Sequence, residues 1–295
     1  MISTKGRYAL RVMLDMAEHG SGEWHRLSDV ARRQQLSKKY LESIMAALIR
    51  ANLVESALGK SGGYRLNRPP EDYPVGEILR AAEEADIVDE TDGRPLAEKL
   101  REAAGSGTML LIDAIDDEPY VSSQMGPMLA LRDQCAAGIK LAAKVLGAAN
   151  SAVLVYKHIS DSEVAIPRSI GGIPIKRIGG KYPAQHRIEE ELEEQYKDKN
   201  GWLLLGACAM IHLYRAAAEG RPQTTTFVTV AGNCIGFPRN VEAPLGAPVW
   251  ELIKLCGLTE RPNRVILGGP LTGEATEDLR GRKVELRTAA VLAIR

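Results

Sequence analysis

Two groups of side chains in this chain have chemistry suited to binding. The first is basic: Arg32, Lys38, Lys39, Lys60 and Arg65, with Tyr40 and Ser43 beside the lysines. Phosphate oxygens attract ammonium and guanidinium groups, and neutralising a phosphate backbone releases condensed counterions, so this is the chemistry of a nucleic-acid contact. The second is an acidic run, Asp116, Asp117 and Glu118, with Lys181, His186 and Arg187 further along. Carboxylates accept hydrogen bonds from a ribose or a carboxamide, and Lys, His and Arg meet phosphates, so this set predicts a nucleotide-like ligand. The alternative for the acidic run is a capped, solvated loop. The four cysteines, Cys135, Cys208, Cys234 and Cys256, have no C-x-x-C spacing. Clustered thiolates are what a metal or iron-sulfur centre needs, so buried reduced thiols are expected, with no cluster, no metal site and no catalytic residue.

Charge placement separates the two groups. The 295 residues carry 38 Lys/Arg and 38 Asp/Glu. Residues 1–70 alone hold twelve basic against six acidic residues, so this segment is +6 and the remainder −6. A basic front and an acidic back are the footprint of a nucleic-acid-binding part joined to a part that does not touch nucleic acid. The length suits two or more domains, and 45% apolar residues are enough for real cores. No apolar run reaches about 18 residues, and residues 1–7 lack the apolar stretch of a secretory signal. A cytoplasmic protein with no membrane partner is expected.

The basic residues need elements to hold them. Leu10, Met13, Leu14 and Ala17 form a helical stripe opposite Arg7, Arg11, Asp15 and Glu18, stopped by Gly20-Ser21-Gly22. A second helix fits 27–35, with Leu27, Val30 and Ala31 inward and Arg32 and Arg33 outward. A third fits 37–50, capped by Ser37, with Leu41, Ile44, Met45, Leu48 and Ile49 inward. Lys38, Lys39, Tyr40 and Ser43 then lie off the core near its N-terminal end, the end that enters a major groove. Any amphipathic helix has a solvated charged face, but the basic hairpin next to this one favours the groove. Leu53-Val54-Glu55 and Tyr64-Arg65-Leu66 read as strands around a tip with Gly59, Gly62 and Gly63, where Lys60 and Arg65 would reach a phosphate backbone or minor groove. Three helices and a basic hairpin are the order of a winged helix.

Residues 86–107 are polar and punctuated by Gly93, Pro95, Gly105 and Gly107, and read as a linker, with a short helix over 96–104 as spacer or dimer contact. Strands at 109–112, 152–156 and 173–178, helices over 132–146 and around Ile188 and Leu192, and a strand at 202–205 leading into a helix through 218 then give α/β alternation. From 224 the texture is β: strands near 227–230, 240–246 and 264–267 around a helix at 249–256, the composition of a small β-grasp. Gly268-Gly269 is expected to form a tight turn rather than a phosphate cradle.

The front segment resembles the Rrf2-type bacterial transcription regulators. The matching pieces are STKGRYAL at 3–10, SKKYLE at 37–42, NLVES at 52–56, GGYRL at 62–66 and VGEILRAAE at 75–83. The resemblance implies a winged helix that binds a palindromic operator as a homodimer. Many members carry three cysteines just beyond, for an iron-sulfur cluster; the stretch DIVDETDGRP at 86–95 has none.

The rest is similar to the RnfC and complex I 51-kDa subunit family with its SLBB-type β-grasp, through IDAIDDEPY at 112–120, GKYP at 180–183, LYRAA at 213–217, VTVAG at 228–232, PLGAPV at 244–249 and GGPLTG at 268–273. That family binds FMN and oxidises or reduces nicotinamide cofactors. Its flavin-wrapping glycine loop has no counterpart here, Ala184-Gln185-His186 stand where it has Gly and Glu, and its flavin-contacting Asn near Leu205-Gly206 is absent. No ferredoxin-like cysteine segment follows 273.

The expected fold is a multidomain α+β chain: a winged helix-turn-helix (1–85), a linker (86–107), a Rossmann-like α/β domain (108–222) and a β-grasp (223–295). The expected function is DNA-binding transcription regulation on double-stranded DNA, with a non-catalytic redox-cofactor-like domain as sensor of a nucleotide-like effector, FMN or NAD(H) being the ligands implied. The rival is a flavin- or NAD(H)-dependent electron-transfer protein carrying a winged helix.

Overall fold

A computed structural model describes residues 12, 15, 16, 24–34, 36–50, 54–57, 59, 62–66, 75–157, 165–179, 182, 185–196 and 201–295. Leu10, Met13, Leu14 and Ala17, expected to form the first stripe, lie outside the described residues. Val12 and Met16 are fully buried, and Asp15, expected on the outer face, is 1% exposed. The reason is a partner: Arg33 donates to its carboxylate through Nε at 2.8 Å and Nη2 at 2.5 Å, and Gln34 Nε2 adds a bond at 3.0 Å. A fork of parallel donors satisfies a carboxylate that would otherwise be costly to bury. Arg33, read as solvated, is therefore a structural residue.

Helices α1 (Leu27–Gln34) and α2 (Lys38–Arg50) pack Val30, Leu41, Ile44, Met45 and Leu48 into one small core with Val12, Met16 and Val54. Strands β1 (Val54–Ala57) and β2 (Gly63–Leu66) pair antiparallel, Ala57 opposite Gly63. His25 adds a third rung: its N–H donates to the Tyr64 carbonyl at 2.8 Å and its carbonyl accepts from Tyr64 N at 2.9 Å. A Cβ at residue 63 would overlap the His25 carbonyl, so this glycine serves a backbone contact within the chain.

Helix α3 (Val75–Glu84) precedes the stretch expected to be a linker, and α4 (Leu96–Glu102) lies within it, where a short helix was expected. The stretch is packed instead. Ile78, Ala82, Ile87, Leu96 and Leu100 belong to the largest core, together with the central strands of the next sheet. Lys99 is 6% exposed and its ammonium lies 2.7 Å from Asp89 Oδ2, Asp89 being fully buried, and 3.2 Å from the Leu204 carbonyl. Polar composition concealed a segment whose apolar residues are buried and whose Asp89–Lys99 pair lies inside.

The α/β unit follows: β3 (Met109–Asp113), α5 (Met125–Ala130), α6 (Arg132–Leu146), β4 (Ser151–Tyr156), β5 (Ser169–Ile170), β6 (Ile173–Ile178), α7 (Gln185–Tyr196), β7 (Trp202–Gly206) and α8 (Ala207–Glu219). The strand order is β5-β6-β4-β3-β7, parallel except for β5 at the edge. Strands covered on both faces read as unbroken apolar runs, and β3 and β4 do. Leu110, Ile112, Val153 and Val155 face α6 and α8, while Leu111, Ala152 and Leu154 join Ile188 and Leu192 of α7. Gly138 of α6 allows the closest helix contact, because a Cβ there would overlap the Met210 carbonyl of α8.

The β-grasp comprises β8 (Thr225–Ala231), β9 (Arg239–Pro244), α9 (Val249–Leu255), β10 (Arg264–Leu267), β11 (Glu274–Thr276) and β12 (Ala290–Ile294), in the order β11-β10-β12-β8-β9 with β12 parallel to β8. Val249, Leu252 and Ile253 pack on Val228, Val230, Val265 and Val291. The Gly268-Gly269 stretch is a turn between β10 and β11, as expected, with Gly268 at φ +96°.

The grasp is bolted to the α/β unit by hydrogen bonds. Ser122 Oγ donates to Asn240 Oδ1 at 3.0 Å, Asn240 Nδ2 to the Ser122 carbonyl at 2.9 Å, and Ser122 N to Thr229 Oγ1 at 2.9 Å. Arg215 of α8 meets Glu242 of β9 at 2.6 Å and Gln134 of α6 at 2.9 Å. No helix among the described residues is long and apolar enough to cross a membrane.

Because removing one member of a buried pair strands the other charge, Lys99→Met should lower stability by about 3–5 kcal/mol. Urea unfolding of the full chain measures this. A loss under about 1 kcal/mol would show that Asp89 is satisfied without the ammonium.

Candidate functional site

Two regions hold the side chains singled out from the sequence. On the front part, Ser37 Oγ accepts from Tyr40 N at 3.2 Å, capping α2 and fixing where its first turn begins. Lys38 and Lys39 project from that turn and are exposed. Arg32 is exposed too, with an i,i+3 contact to Asp29 at 3.4 Å. Tyr40 is half-buried against the small core, and Ser43 spends its hydroxyl proton on the Tyr40 carbonyl at 2.8 Å. Arg65 pairs with Glu55 across the hairpin, and its guanidinium lies 4.5 Å from the Trp24 ring centre. Lys60 lies outside the described residues. Trp24 was missed by sequence reading; an aromatic beside the His25 rung was its only signal.

The second region is a cavity of about 230 Å³ beyond the C-terminal end of β3, closed on its far side by the grasp. Asp116, Asp117 and Glu118 line it, yet two of these carboxylates are already engaged by the chain. Asp116 accepts from Gln124 N at 2.8 Å and Met125 N at 3.2 Å, which satisfies the start of α5. Glu118 accepts from Leu271 N at 2.5 Å, Thr272 N at 3.1 Å and the Thr272 hydroxyl. A Cβ at Gly269 would overlap the Glu118 carboxylate, so the glycine turn cradles an anion that belongs to the protein. Lys181 lies outside the described residues, as do the side chains of His186 and Arg187.

Sequence reading did not find the remaining lining groups. Glu90, from the stretch read as linker, sits over the first turn of α8: Cys208 N donates to Oε1 at 2.7 Å and Ala209 N to Oε2 at 3.0 Å. Asp89 Oδ1 takes Gly206 N at 3.1 Å, so two successive carboxylates cover the β7-to-α8 turn. His212 is 3% exposed and its Nε2 has no hydrogen-bond partner; Gln124 Oε1 is likewise buried and unpartnered. Both line the cavity. A glycine between an apolar strand and a helix was the available signal for an anion seat here.

Electrostatics follow from burial. Desolvation pushes Asp116 up to about 7, against the pull of its two N–H donors, and does the same to Asp113. Burial, with Asp89 alongside, also holds Glu90 above the usual carboxylate range. Burial and then Arg215 lower His212 to about 4, so its imidazole is neutral near pH 7. Burial holds the Cys208 thiol well above its ordinary value, and Cys135 is pushed up to about 12. Protonated thiols are neither nucleophiles nor metal ligands. Among the described residues no group of His, Cys, Asp and Glu could hold a metal ion.

Comparison with known proteins supports the two-part reading of the chain. Residues 2–114 match the family model described as Rrf2, iron-dependent transcriptional regulator, and residues 227–275 match the SLBB domain. Protein rrf2 of Nitratidesulfovibrio vulgaris is 42% identical over 91 residues, covering 31% of this chain and 61% of that protein. The HTH-type transcriptional regulator IscR of Cereibacter sphaeroides is 45% identical over 85 residues, 28% of this chain and 55% of that one. The chain thus spans less than two thirds of the length of either relative. A crystal structure of an NAD+-reducing NiFe hydrogenase in the H2-reduced state superposes with a TM-score of 0.59 at 16% identity, over 77% of this chain and 49% of that one, a likeness of fold. The front of the chain thus matches the Rrf2 family model and residues 227–275 the SLBB domain, on a chain whose fold is like that of the hydrogenase structure.

Proposed function

We propose that the protein is a DNA-binding transcription regulator that acts as a homodimer on a palindromic operator, with its second half a non-catalytic sensor. The observation that carries this is the exposed Lys38–Lys39 pair on the capped first turn of α2, beside the β1–β2 hairpin, in a segment of charge +6. Helix starts of this kind enter the major groove, where lysine reads guanine and a wing reaches the neighbouring minor groove. Lys38, Lys39, Tyr40 and Ser43 form the groove surface in this reading, with Arg32, Lys60 and Arg65 on phosphates. Ser43 contributes through its oxygen, since its proton is already used.

The sensor reading has its own support. The cavity between the sheet and the grasp holds unpartnered polar atoms of His212 and Gln124, which a bound molecule would satisfy. Chemistry has little to work with there, because Asp116 and Glu118 hold the protein together and Cys208 stays protonated. An effector alters operator binding only by favouring one arrangement of the chain over another. Its site lies within contact of Val88 and Glu90, a few residues after α3.

Binding of the full chain to an operator selected from random duplexes, followed by anisotropy at several salt concentrations, tests the front half. Lys39→Ala should weaken operator binding by about 1–3 kcal/mol and relax sequence preference. Lys60→Ala should instead reduce the salt slope by about 1 with little change in preference. Wild-type affinity in both variants would remove this surface from the interface. For the second half, no dye reduction from NADH is expected, with or without added FMN; turnover would replace the sensor by an electron-transfer enzyme.

A further inference from the structure

The start of α8, beside the cavity, is built to seat an acceptor group, and the chain supplies a carboxyl. Gly206 precedes α8 without any side-chain cap of its own. Unpaired N–H groups at a helix start concentrate partial positive charge, which draws phosphates and carboxylates. Glu90 answers it through Cys208 N and Ala209 N. Room for that carboxylate exists because residue 206 has no Cβ, which would overlap it. His212, one turn further along the same helix, presents its buried, unpartnered Nε2 to the same cavity.

The resemblance of this half implies a phosphate-bearing flavin or nicotinamide cofactor, and the residues present do not fit one. The helix amides are taken. Asp116, Asp117 and Glu118 make the rest of the lining repel a phosphate, and about 230 Å³ is small. Pockets for drug-sized ligands run to ~300–1,000 Å³. We propose that Glu90 is a tethered carboxyl group that keeps the phosphate seat of this cavity filled, so that the chain takes neither FMN nor NAD(H) there, and that the seat opens to inorganic phosphate when this side chain is removed. Tethering decides the competition, because a group on the same chain acts at an effective concentration in the millimolar range or above. The inference deepens the non-catalytic reading but rests on the cavity and not on operator binding, which can fail or hold independently.

The test uses the full chain, with FMN and sodium phosphate as probes. Wild type should give no calorimetric signal with FMN, and should melt at the same temperature in phosphate as in sodium chloride of equal ionic strength. Glu90→Ala should melt lower in chloride and rise by several degrees in phosphate. Glu90→Gln, which keeps an oxygen against the helix amides, should show no phosphate-specific gain. Should Glu90→Ala fold poorly, phosphate should restore its folding where chloride does not. Micromolar FMN binding by wild type, or a Glu90→Ala chain indifferent to phosphate, would overturn the proposal.

Discussion

Main-chain N–H groups that no helix or sheet can use must find acceptors, and here the chain's own carboxylates provide them. Asp116 serves the start of α5, Asp89 and Glu90 the β7-to-α8 turn, and Glu118 the Gly269 to Thr272 turn. A buried amide left without a partner costs about 1–3 kcal/mol, so these four side chains set which loops lie next to which. They also join stretches remote in sequence, the one near 90 to that near 207 and the one near 118 to that near 271, around one cavity. The cavity is the space left between them, and its acidity follows from how it is held together.

Much of the architecture is legible in the residues. The unbroken apolar runs of β3 and β4, the helix at Arg132–Leu146 and the hairpin after α2 follow from period and punctuation alone. What escapes has a common cause. Asp15, Asp89 and Lys99 are charged and buried, Asp15 against the half-buried Arg33 and the other two against each other, and periodicity treats a charge as a mark of solvent. The stretch 86–107 therefore reads as a linker although its apolar residues sit in the main core. Strand β12, between β10 and β8, is missed for another reason: Ala290–Ile294 is short, and alanine and leucine favour neither period.

The candidate site divides along the same line. That something lies beyond the end of β3 follows from sheet topology, and the acidic run there does line the cavity. Which groups stay open to a ligand does not follow, because it depends on hydrogen bonds that no periodicity shows, some local, as at Asp116, and some between residues more than a hundred positions apart, as at Glu90 and Glu118. Sequence reading picked Asp116 and Glu118, which are spent, and passed over His212 and Gln124, whose buried polar atoms remain unpaired. On the front part contacts are local, so the lysines, the cap and the hairpin could be read together.

The packing of α3 and α4 bears on how freely the two parts of the chain can vary. The regulator-family match runs to residue 114, through both helices and strand β3 of the sheet. The matched segment and the fold behind it therefore share one hydrophobic interior, with Ile78, Ile87 and Leu100 lying against residues of the α/β unit. A break in the chain before residue 108 would lift α3 and α4 off α6 and α8, so residues on either side of that point answer to one interior and change under a common constraint.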